Sequence, residues 1–110
     1  LAAKLDKVKI GPVEYKIVFG QDGLVEEALA EGMKLDCFLG FCDYIDSKIL
    51  ITDQCSSINQ KVTVIHEVLH ACLFHIGCGD EEDLVTRLSP VLLAALRDNK
   101  KLVEFLTEAV

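Results

Sequence analysis

The chain has 110 residues, enough for one domain, and 51% of them are hydrophobic; with a mean hydropathy of +0.34, this excludes wholesale disorder. A formal net charge of −7 and a pI near 4.8 repel phosphate backbones and argue against nucleic-acid binding through a basic face. The longest apolar stretch, 62–77, carries three histidines and a glutamate, so no membrane span is expected.

In chain order, residues 7–10 and 14–19 read as short strands around a Gly11-Pro12 turn. Residues 24–32 have helical spacing, with Asp22 as a cap and Gly32 as a stop. Residues 38–45 and 48–52 are rich in aromatic and β-branched side chains. The Asp46-Ser47 pair between them suggests a hairpin. Ser57 or Asn59 can cap a helix that runs to about Ile76 and closes at Gly77. Val62, Ile65, Leu69, Cys72 and Ile76 form its apolar stripe, and the other faces are apolar too, so this helix should be central and buried. Asp80 is placed to cap a second helix. Pro90 should kink or break that helix, with Ser89 as a new cap. Asp98 or Asn99 opens a last helix through Ala109. Strands first and helices second predict an α+β domain.

That helix contains His66-Glu67-Val68-Leu69-His70, an HExxH motif. Residues i and i+4 differ by about 40° around a helix, so both imidazoles leave one face and can share a metal ion. Glu67 is turned about 100° from His66 and can flank the metal without ligating it, as a general base for water. Zn²⁺ suits neutral imidazoles and leaves a coordination position open. A random chain of this length shows the motif well under about once in a hundred. Two histidines and a glutamate in an apolar helix are also costly without a task.

The third ligand is less determined. His75 lies about 140° round the helix from His70, on the opposite side, and reads as a surface or packing residue. A carboxylate from the next helix is the better candidate, Glu82 ahead of Glu81. Acids in a first helical turn are also favoured by the macrodipole alone. In a tight antiparallel hairpin Glu82 would sit roughly 9 Å along the axis from His70, a gap that a crossing angle must close. Asp43, Asp46 and Asp53 are weaker candidates. Tyr15 and Tyr44 are each candidate oxyanion donors. The strand at 48–52 can hold an extended peptide if it is a sheet edge; an inner strand is an equally good reading.

The segment VTVIHEVLHACLFHIG, followed by GDEEDLVTRLSPVLLAALRDN, resembles the short phage and prophage relatives of the ImmA/IrrE-type metallopeptidases, minimal gluzincin-like zinc proteins. The resemblance spans about residues 40–99. It includes Gly40, Asp43 and Tyr44 at the hairpin, Ile49 and Ile51 in the strand, and Arg97-Asp98-Asn99 after the acidic-then-apolar helix. It implies His66 and His70 as zinc ligands, Glu67 as the catalytic residue and an acid such as Glu82 completing the site, on a zincin-like fold in which a small mixed or antiparallel sheet packs on the HExxH helix and two further helices follow. The chain departs from the pattern at Pro90 and lacks the fuller glutamate motif of longer members.

The expected function is zinc-dependent hydrolysis of a peptide or protein substrate, with Glu67 activating water. A non-catalytic, zinc-stabilised interaction module is the alternative. A third reading is an acidic protein that binds a basic host partner through Glu26, Glu27, Glu31 and residues 80–83, although a charge run is usually a solvated face. The N-terminal LAAKLDKVKI lacks the apolar run of a secretory signal. The five cysteines, at 37, 42, 55, 72 and 78, show no CxxC pairing and read as free thiols, a Cys37–Cys42 pair being the weaker alternative. Both features point to a cytoplasmic setting, and the resemblance implies a phage or prophage origin in a bacterial host.

Overall fold

The computed structural model describes residues 5–20, 30 and 39–109. The helix expected over 24–32 falls outside them except for residue 30, as do Glu26, Glu27, Glu31 and Cys37. Four strands form one sheet: β1 (Lys7–Ile10), β2 (Val13–Phe19), β3 (Gly40–Asp43) and β4 (Lys48–Ile51). Their spatial order is β1-β2-β4-β3. β1 and β2 are antiparallel, β2 and β4 parallel, and β3 and β4 antiparallel, so the sheet is mixed. The 48–52 segment is therefore an inner strand, not an edge. Among the described strands β3 is the outer one beside it, because the β3–β4 hairpin folds β3 outward while β4 pairs with β2. The Asp43 carboxylate sets the turn by accepting the backbone N–H groups of Ile45 and Asp46 at 3.0 and 3.1 Å.

Alternation along the strands puts Ile10, Tyr15, Ile17, Cys42, Ile49 and Ile51 on one buried face. Helix α1 (Ser57–His75) covers that face, contributing Ala71 with Val64 and Val68 beside it. Its deepest line is Thr63, Glu67 and Ala71, spaced by four residues. The expected stripe from Val62 to Ile76 is only partly covered, and Ile76 is 72% exposed. The helix is thus buried on its sheet side and flanked by α2 (Glu82–Asp98), rather than enclosed all round. Its cap is Ser56, one residue before the expected position, whose hydroxyl accepts the Asn59 N–H at 3.3 Å. The architecture is α+β, as the order of patterns in the sequence predicts.

Two expectations for α2 need correction. Its N-cap is Glu81, without a side-chain capping bond; the Asp80 carboxylate is engaged elsewhere. Of the kink or break expected at Pro90, the break does not occur: the helix continues through it, and Ser89 starts no new one. Ser89 is fully buried, and its hydroxyl donates to the Val85 carbonyl at 2.6 Å. Packing of Val85 and Ser89 against the body holds the segment helical against the local cost of proline. Asn99 caps the last helix, α3 (Lys100–Thr107), as expected, but the helix stops at Thr107 rather than Ala109. Among the described residues no helix is long and apolar enough to cross a membrane. Cys42, Cys55, Cys72 and Cys78 form no disulfide.

Gly40 fixes how closely β3 approaches α1. A Cβ there would meet Thr63 Cγ2 at 2.6 Å, the Leu50 carbonyl oxygen at 3.1 Å and Glu67 Oε2 at 3.2 Å. Gly40→Ala is therefore expected to lower unfolding free energy by about 1–3 kcal/mol in urea titrations. Adding Thr63→Ser, which removes the clashing methyl, should recover most of that loss; no recovery would mean the close contact is not the cause. Pro90→Ala restores a donor for the Thr86 carbonyl and should raise stability by about 1–2 kcal/mol in the same assay. An unchanged or lower value would show that the proline ring stabilises the packing.

Candidate metal centre

His66 and His70 stand one turn apart on α1, with ring centroids 4.7 Å apart and Nε2 atoms at 3.1 Å. The helix ends at Ile76, and Gly77 (φ 76°) takes the left-handed conformation. The Gly77 N–H then donates to the Phe74 carbonyl, and the Cys78 N–H to the Leu73 carbonyl at 2.9 Å. This is the paired bonding of a Schellman cap, which ends a helix abruptly and redirects the chain. Four residues later α2 begins, and its first residue, Glu82, reaches back over the two imidazoles. Oε1 lies 3.0 Å from His66 Nε2, and Oε2 lies 2.6 Å from His70 Nε2. The axial gap expected for a tight hairpin is closed.

Among the described residues, His66, His70 and Glu82 form the group of donors that could hold a metal ion. Tetrahedral zinc with ligands at about 2.0–2.1 Å places donor atoms roughly 3.3 Å apart. The separations of 3.1 and 3.0 Å fall within a few tenths of that value. The 2.6 Å contact needs only a small rotation of a carboxylate that is 60% exposed. Burial lowers the His66 pKa, more than the Glu82 carboxylate raises it, and so favours the neutral ring that a metal requires.

On the other side of the His70 ring, Asp80 Oδ1 lies 3.4 Å from Nδ1. A carboxylate there favours the tautomer that leaves Nε2 free to ligate. Asp80 was expected as a helix cap and a member of the 80–83 acidic run; the stop expected at Gly77 is present, and the chain direction after it aims Asp80 at His70. Thr86 donates to Glu82 Oε1 at 3.3 Å from one turn further along α2.

Glu67 is 6% exposed and points between the histidines and β3, close to Gly40. Burial pushes its carboxyl up to about 8, with the Glu82 and Asp80 carboxylates adding to the rise. The cleft holding these groups has a volume of about 810 Å³ and runs from β3 (Gly40, Phe41, Cys42) across α1 to Asp80 and Glu82. Tyr44 and Phe74 form part of its lining, stacked with centroids 4.1 Å apart and planes at 11°. The Tyr44 side chain hydrogen-bonds that of Cys42, whose thiol burial pushes up to about 12.

The other candidates lie elsewhere. Tyr15 is buried, and its hydroxyl pairs with His75 Nε2 at 2.7 Å, away from the cleft. This leaves Tyr44 as the tyrosine at the site and gives His75 its packing role. Glu81 does not line the cleft. Asp43 is committed to the hairpin turn, and Asp53 accepts from Gln54 Nε2 at 3.0 Å. Neither they nor Asp46 joins the donor group. In comparisons with family models, curated proteins and solved structures, nothing matches this chain.

Proposed function

We propose that this chain is a zinc-dependent metallopeptidase in which His66, His70 and Glu82 hold the ion and Glu67 is the general base. The observation that carries the reading is the convergence of three donor atoms at one point beside a buried carboxylate in an open cleft. Three protein donors suit a catalytic zinc, whereas a structural zinc is closed by four; this favours the enzyme over the zinc-stabilised module. When bound, zinc would supply Lewis acidity to a carbonyl and to a water, and a positive charge that favours ionised Glu67. Glu67 takes a proton from the attacking water and delivers it to the leaving amine, while Asp80 keeps His70 in its ligating tautomer. Strand β3 borders the same cleft and gives an extended peptide a wall to lie against. The resemblance of residues 40–99 to the ImmA/IrrE-type metallopeptidases points to the same chemistry.

The test has two arms. Metal analysis after dialysis against limiting zinc should find close to one ion per wild-type chain and far less for His66→Ala and Glu82→Ala. Full zinc in both variants would refute the ligand set. Glu67→Gln should keep the metal yet lose peptide hydrolysis by about 100-fold or more, the upper part of the range for a general base. A Glu67→Gln protein that cleaves every tested peptide as fast as wild type would refute the catalytic assignment while leaving the metal site standing.

A further inference from the structure

Helix α3 carries its charges in the orientation that an isolated helix disfavours. Lys100 and Lys101 stand at its N-terminus, and Glu104 and Glu108 lie toward its C-terminus, with no acid in the first turn and no base in the last. Each such placement opposes the helix macrodipole. The same helix leaves Leu102, Phe105 and Leu106 at 43%, 69% and 62% exposure. The i, i+3, i+4 spacing of those three side chains gathers them on one face. α3 contains no buried residue. A helix with an open apolar face and reversed charges is better satisfied by a partner than by solvent.

We propose that α3 is the pairing surface of a symmetric homodimer, in which the α3 helices of two copies lie antiparallel with their Leu102, Phe105 and Leu106 faces together. The charge pattern selects this occupant. Lys101 and Glu108 are seven residues apart, so they lie on the same flank of the apolar face. A twofold axis perpendicular to both helices reverses the second helix and keeps that flank on the same side. Lys101 of each copy then meets Glu108 of the other. Each incoming glutamate also sits at the positive end of the opposite helix dipole, offsetting the conflict within a single α3. Parallel pairing would instead set lysines against lysines. The polar face balances two lysines with two glutamates, unlike the cation-rich face of a membrane-surface helix. Although the chain has a net charge of −7, Arg97, Lys100 and Lys101 balance Asp98, Glu104 and Glu108 locally. Repulsion from more distant charges is screened beyond about 8 Å at physiological salt. Two helices this short bury less than a standard interface, so the dimer is a weak, concentration-dependent one.

Sedimentation equilibrium of the zinc-loaded and zinc-free protein across micromolar to millimolar concentrations tests this independently of the metal cluster. The average mass should climb from 12.1 kDa toward twice that value. Phe105→Asp should remain monomeric throughout, with a thermal melt like that of wild type. Lys101→Glu should weaken dimerisation by about tenfold. The double variant Lys101→Glu/Glu108→Lys should restore it to near the wild-type level. Wild type that stays monomeric, a dimer indifferent to Phe105→Asp, or a double variant that fails to recover would each overturn the proposal.

Discussion

Two imidazoles one helical turn apart present a pair of lone pairs to nearly the same point in space, and an apolar helix cannot leave them unanswered. The structure answers them with Glu82, delivered from the next helix to within 3.0 Å of His66 and 2.6 Å of His70. That delivery depends on the tight cap at Gly77, which ends α1 and turns the chain back within a few residues. The same turn sends Asp80 to the far nitrogen of His70. One short linker thus supplies a third donor and the group that orients the second.

The sheet sets the other wall. Gly40 allows β3 to approach α1 so closely that Glu67 is buried between them, facing the cleft. Burial makes ionisation of Glu67 costly, and the neighbouring acids add to that cost. A divalent cation at the donor cluster, as proposed, would offset that cost. The carboxylate placement and the imidazole placement therefore favour the same occupant. The dimer proposed through α3 uses a helix that supplies none of the cleft lining, so association and chemistry are separable.

Much of this was legible in the sequence. The 3.6-residue period fixed α1, and within it HExxH put His66 and His70 on one face. Turn-bounded runs at 7–10 and 14–19 and the β-branched segment 48–52 marked strands, and Asp46-Ser47 marked the hairpin. What periodicity could not convey was tertiary. Strand order is decided by pairing across the chain, so among the described strands β3 is outermost and the 48–52 segment lies inside. Pro90 reads as a breaker locally, yet burial of Val85 and Ser89 outweighs it. In the sequence Asp80 read as a helix cap and Glu82 as a first-turn acid and candidate third ligand. Only the geometry after Gly77 separates their tasks, with one at each nitrogen of His70.

Zinc K-edge X-ray absorption on the protein loaded with one equivalent of zinc bears most directly on the central claim. The account predicts a first shell of nitrogen and oxygen at about 2.0–2.1 Å, with imidazole scattering from two histidines and no sulfur. A sulfur shell at about 2.3 Å would place a cysteine on the metal, and one imidazole or none would separate the two histidines; either result contradicts the three-donor centre described here.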